Sequence, residues 1–335
     1  MAKSDFIVDM QAHFIPPEAV KLVSKTDEYD YTIGLKRFKK AYELIQDVDS
    51  YLKWMDDAGI DVSVLSTASF CNNGPDFCKA TNDGYAKVIK DHPDRFRAMI
   101  HVYPFDIDKL KTEVKRGVEE LGLWGIGVAS SYANKTIDEP WMNPIYEAAV
   151  EYKMPLYVHP SIRVDMWGAG KYDLHLTVSR EYEVVKSFVE MIYGVVPRYP
   201  DLQVIYAHFG GGLPALKGRL LSWHRPPGFP IPEQEQGHGY FIEQAEELGL
   251  VAEYESRVKN FIFDSAGYGG WMPIHKAALE ALGADHLCFG TDYPYEVREA
   301  RYVRTVLENV KKLGLPDADR EKFLSGNLKK MFKIG

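Results

Sequence analysis

A (β/α)8 barrel is the fold this sequence predicts, and three observations carry the prediction. Eight short β-rich runs recur along the 335 residues. Several are almost wholly apolar in the middle, as strands are when a parallel sheet is covered on both faces. Helical periodicities fill the gaps, and strands alternating with helices read as successive βα units. A doubly wound open sheet is the competing arrangement.

The runs are FIVDM (6–10), VSVLSTA (62–68), FRAMIHVYP (96–104), WGIGVASS (124–131), PLYVHPS (155–161), QVIYAHFG (203–210), NFIFDSAG (260–267) and LCFGTDYP (287–294). Between them, DVDSYLKWMDDAGI (47–60) has apolar residues at helical spacing and ends at Gly59. NDGYAKVIKDHP (82–93) stops at a proline. DIDKLKTEVKRGVEELGL (106–123), NPIYEAAVEYKM (143–154), EYEVVKSFVEMIYGVVPRYP (181–200) and PIHKAALEALGA (273–284) each precede a strand. Insertions interrupt the pattern after strand one (18–46) and after strand six (213–258). The second, with WHRPPGFPIPEQEQGHGYF, reads as an ordered loop or lid. One domain is expected over 1–335.

Composition bounds the partners. The chain is 46% hydrophobic and 26% charged with net charge −8, and its Lys and Arg are scattered, so no nucleic-acid partner is expected. No run of apolar residues is long enough to span a membrane. The opening MAKSDFIVDMQ has no apolar signal core. Three cysteines, Cys71, Cys78 and Cys288, are an odd and small number for so long a chain, which favours a reducing compartment. A cytoplasmic protein is the expectation.

Chemistry in such barrels sits at the C-terminal strand ends. There strand one carries Gln11 and His13, strand five His159, strand six His208, strand seven Asp264 and strand eight Asp292. Asp9, Gln11 and His13 alternate, which in a regular strand puts them on one face, Asp9 deeper in the barrel interior. A lone histidine after a strand is usually a hydrogen-bonded rim residue, and Asp292 in GTDYP also reads as a turn former. Three histidines and an aspartate at the same barrel end make a metal or acid–base site the sharper reading. His101, inside strand three, reads as core.

Other segments carry weaker signals. Arg163 and the segment DMWGAGKYDLHLTVSREYE after strand five, with Trp167 and Tyr172, can shape a pocket for a planar substrate. Packing of that loop onto the barrel rim explains the aromatics equally well. Asn72, in FCNNGPDFC, is a substrate hydrogen-bonding candidate or a plain turn. The run GGG (210–212) lacks the rest of a phosphate loop.

DMQAHFIPPEA, YVHPS, AHFGGGLPALKGR and FGTDYPYE, in this order, resemble the amidohydrolase superfamily. They are most similar to the branch holding aminocarboxymuconate semialdehyde and γ-resorcylate decarboxylases. The resemblance runs from strand one to SGNLKKMF. It implies one divalent metal ion, zinc or manganese, on the positions of Gln11, His13, His159 and Asp292, and no organic cofactor. It implies His208 and Asp292 as catalytic groups, and Arg219 as holder of a substrate carboxylate, supplied by this chain or by a neighbouring subunit. Gln11 departs from the pattern, since the branch places Glu or His there. The implied activity is nonoxidative decarboxylation of an aromatic or unsaturated hydroxycarboxylic acid by a homodimer or larger homo-oligomer. Hydrolysis or hydration of a ring-derived carbonyl compound, with or without metal, uses the same groups and is the second expectation.

Overall fold

The computed structural model describes residues 5–23, 39–161, 168 and 170–334. Among them nine short strands are present: β1 (Val8–His13), β2 (Val62–Ser66), β3 (Phe96–Ala98), β4 (Ile100–His101), β5 (Ile126–Ala129), β6 (Leu156–His159), β7 (Val204–Tyr206), β8 (Phe261–Asp264) and β9 (Leu287–Cys288). All pair in parallel, in the orders β1-β2-β3 and β4-β5-β6-β7-β8-β9. The run FRAMIHVYP, expected as one strand, is broken at Met99: β3 pairs with β2 and β4 with β5.

Backbone bonds bridge both seams. Met99 N donates to Leu65 O at 3.0 Å and Ile100 N to Gly125 O at 2.8 Å. On the other side Met10 N donates to Phe289 O (2.9 Å), Asp292 N to Gln11 O (2.9 Å) and His13 N to Tyr293 O (2.8 Å). These last bonds tie the final strand to the first and close the ring. His101 reinforces the first seam with its side chain: its Nε2 accepts from Thr67 N at 2.8 Å.

Helices surround the strands, as the periodicity predicts. In Val48–Ala58, Asp47 caps the start by accepting from Ser50 N at 3.0 Å, and Gly59 stops the helix at φ 79. Its buried residues are Tyr51, Trp54, Met55 and Ala58. Inside the ring, Val8, Met10, Val62, Val64, Tyr157, Ile205, Ile262 and Cys288 pack as one buried cluster. Leu328, Phe332 and Ile334 join it from the C-terminal segment, and Trp124 Nε1 bonds Met331 O at 3.0 Å. That segment closes the N-terminal mouth and leaves the other mouth for the site.

The insertion after strand six is more helical than a loop. It contains the end of His208–Ser222, then Ile242–Glu247 and Leu250–Val258, with a small core of Tyr240, Ala245 and Leu250. Of the first insertion, Pro17–Val20 and Lys39–Leu44 are helical. No helix among the described residues is long and apolar enough to cross a membrane.

The alternation expected in strand one fails at one place. Asp9 pairs with Ser63 but Ala12 with Leu65, so β1 carries an extra residue between them. A bulge of this kind flips the facing of everything beyond it. Asp9 therefore shares the face of Ser63, opposite Val62 and Val64, and does not point into the barrel interior as expected. It is buried against Thr291, whose N (3.0 Å) and Oγ1 (2.6 Å) it accepts. His13, paired with Ser66, is turned inward.

Candidate metal centre

Gln11, His13, His159, His208 and Asp292 meet at the C-terminal mouth. A ring nitrogen of His13, a ring nitrogen of His159 and an Asp292 carboxylate oxygen lie within 4.8 Å of one another, all three residues buried. Each imidazole is oriented by an acceptor on its far nitrogen. His13 Nδ1 lies 3.0 Å from Ser66 O and His159 Nδ1 lies 3.1 Å from Pro160 O. A carbonyl only accepts, so Nδ1 carries a proton in both rings and Nε2 is the atom left to face the centre. Burial pushes the His159 imidazole well below its ordinary pKa, so it is neutral at neutral pH.

Asp292 is the third donor. Its φ of 55 is a left-handed conformation that aspartate tolerates better than most residues, fixed by the bond from Asp292 N to Gln11 O. Oδ1 lies 2.8 Å from His13 Nε2 and Oδ2 lies 3.3 Å from Arg180 Nη2. Burial alone would raise its pKa, but Arg180 and His13 hold the carboxyl well below the usual range, so it is ionised.

Gln11 joins the two histidines beside it. Its Nε2 lies 3.1 Å from His208 Nε2 and 3.4 Å from His159 Nε2, whereas its Oε1 is buried with no hydrogen-bond partner. A buried amide oxygen without a donor asks for a cation or a donor from outside the chain.

His208 begins an unusual turn. Residues 208–212, HFGGG, all have positive φ, from 48 to 81, so β7 enters the helix His208–Ser222 through a left-handed turn. Only glycine adopts this conformation without steric cost, which accounts for the GGG run. Asp264 anchors the turn by accepting from His208 N (3.0 Å) and Ala266 N (3.0 Å). Burial pushes Asp264 up to about 6. The His208 ring is held by Glu181, whose Oε1 lies 2.8 Å from Nδ1. Its Nε2 faces Gln11 and Arg180, the latter at 3.2 Å.

Arg180 and Glu181 were not singled out by the sequence reading. They occupy the first turn of Val178–Glu190, a helix read as beginning only at Glu181. An adjacent Arg-Glu pair at a helix start behind a rim loop was the available signal. Of the other expected residues, Arg163 and Trp167 lie outside the described residues. Asn72 is half-buried in the turn Ala68–Asn73 at the end of β2. Arg219 is exposed, 5.5 Å from the Trp223 ring, on a groove of about 290 Å³ with Ile192, Tyr193 and Tyr254. It touches none of the clustered groups.

Two imidazoles and one carboxylate form an open donor set suited to zinc, manganese or iron, and the orphaned oxygen belongs to Gln11, whose amide touches His159. The residues fit a divalent ion. Fold and donor set together define a barrel built to hold one such ion at its C-terminal face. Residues 8–334 match the family model for Amidohydrolase, and the chain belongs to that family.

Several of its relatives are decarboxylases. The γ-resorcylate decarboxylase of Rhizobium sp. is 26% identical over 98% of both chains. The 2-amino-3-carboxymuconate-6-semialdehyde decarboxylase of Dictyostelium discoideum is 25% identical, covering 87% of this chain and 78% of that one. A solved 5-carboxyvanillate decarboxylase from Novosphingobium aromaticivorans, complexed with manganese and 4-hydroxy-3-methoxy-5-nitrobenzoic acid, shares the fold. Its TM-score is 0.79 at 24% identity, over 98% of this chain and 96% of that chain.

Proposed function

We propose that the protein is a metal-dependent, nonoxidative decarboxylase of an aromatic or unsaturated hydroxycarboxylic acid. One observation carries this reading: His13, His159 and Asp292 converge as a donor set with His208 and Arg180 touching its rim. The decarboxylase relatives support the reaction and substrate class, and the manganese of the solved neighbour supports the kind of ion.

His13, His159 and Asp292 would hold the ion, with Gln11 Oε1 as a fourth donor. Bound there, it supplies a Lewis acid for the substrate's carboxylate and adjacent oxygen. Asp292 is ionised, so it first takes a proton, for which the substrate's hydroxyl is the source. It then delivers that proton to the carboxylate-bearing carbon. The carbon–carbon bond to the carboxylate breaks, its electron pair returns to the ring, and CO2 leaves. His208, with Nδ1 fixed by Glu181, presents Nε2 to the substrate as an acceptor and assists the proton's movement.

The same reading makes the chain a cytoplasmic homodimer or larger homo-oligomer. Three buried, unpaired cysteines support the reducing compartment, and the exposed Arg219–Trp223 pair supports contact with another subunit. The test is CO2 release from a panel of hydroxybenzoates by manganese- or zinc-loaded protein. Release from at least one acid is expected. A loaded protein that opens lactones or cleaves amides and releases no CO2 overturns the reading.

A further inference from the structure

We propose that Arg180, supplied by the chain's own helix Val178–Glu190, is the anchor for the substrate's carboxylate, a role that rests on the decarboxylase reading. In a decarboxylation the carbon that gains the proton is the carbon that loses CO2. The group that grips the carboxylate therefore sits beside the proton carrier. Arg180 does: its Nη2 is 3.3 Å from Asp292 Oδ2 and 3.2 Å from His208 Nε2. Arg219, the arginine first expected in this role, is exposed over Trp223 and touches neither.

The guanidinium is underused in the protein alone. Its Nε is buried with no hydrogen-bond partner, and only 16% of the side chain's surface is exposed. Both Nη2 contacts are longer than the 2.7–2.9 Å or so typical of charge-assisted bonds. An arginine edge with one donor unmade and another loosely held matches the two oxygens of an incoming carboxylate. Arg180 meets Asp292 through Oδ2, whereas His13 meets it through Oδ1, so the anchor leaves the donor side of Asp292 clear.

The experiment measures binding to manganese-loaded protein by titration calorimetry, comparing benzoate and 2,6-dihydroxybenzoate with phenol and resorcinol. Arg180→Gln should weaken both acids roughly tenfold to a hundredfold, the scale of a charged hydrogen-bonded pair, and leave both phenols unchanged. Arg180→Lys, which keeps charge but not the fork, should fall between, and it carries the test if the Gln variant fails to fold. The proposal is overturned if acids and phenols weaken together, if acid binding is unaffected, or if wild type binds neither acid better than its phenol. CO2 release, measured separately, distinguishes the two readings. Acid binding that depends on Arg180 without CO2 release would sink the decarboxylase and leave the anchor. CO2 release with acid binding indifferent to Arg180 would do the reverse.

Discussion

Two contacts decide what His13 can do. Ser66 O accepts from its Nδ1 and Asp292 faces its Nε2, so the ring has one free nitrogen and one direction in which to use it. Gln11 is the contrasting case, an amide that offers nitrogen to two histidines and leaves its oxygen unmatched. Gln11→Glu puts a charged oxygen at that place and should tighten manganese binding by roughly tenfold or more. Competition against a chelator measures this; unchanged affinity would mean that residue 11 faces substrate rather than metal. His13, His159, His208 and Asp292 were legible in the sequence because side chains at strand ends converge whatever the loops do. Asp9 was misplaced because a single extra residue in β1 breaks the alternation on which the reading stood. Arg180 and Glu181 were missed because the aim of a helix start depends on the preceding rim loop, which no periodicity encodes.

At the scale of elements, the turn HFGGG and the broken third strand carry the site. Gly211 has φ +70, and a Cβ there would meet the backbone oxygen of Glu181 at 2.3 Å. Gly211→Ala should cost about 2 kcal/mol of stability or more, from strain and a clash with backbone that cannot yield. It should also push the Arg180–Glu181 turn off His208, so activity should fall further than a surface variant of equal melting temperature. A normal melting temperature would contradict this account of the turn. At the seam, His101 is buried and neutral, its Nε2 accepting from Thr67 N, and burial lowers its pKa to about 4. A depressed pKa means that the unfolded chain, with a histidine near 6.5, binds the proton first. The contribution is complete above pH about 6.5 and is lost as pH falls toward 4, amounting to about 3 kcal/mol. Urea midpoints between pH 7 and 4.5 should fall more steeply for wild type than for His101→Gln; equal slopes would show that His101 does not titrate with unfolding. The strands and helices were legible from apolar runs and helical spacing. The break at Met99 was not, because FRAMIHVYP is continuous in composition while its two halves pair with different neighbours.

The whole molecule separates its two mouths by chemistry. Leu328, Phe332 and Ile334 fill the N-terminal one, and His13, His159 and Asp292 stand at the other. Ring closure through Met10, Asp292 and His13 makes the first and last strands partners, so donors nearly the full length of the chain apart become neighbours. That closure follows from eight βα units and was legible, whereas the helical content of the second insertion was hidden by its prolines and glycines. The central claim is that one ion on His13, His159 and Asp292 enables loss of CO2. It is tested most directly by stripping metal with a chelator, adding manganese back in steps, and following CO2 release from the best hydroxybenzoate substrate. The account predicts negligible release from stripped protein and recovery that saturates at one ion per chain, with that recovery abolished in His13→Ala. Full CO2 release from metal-free protein, or recovery in His13→Ala equal to wild type, would contradict it.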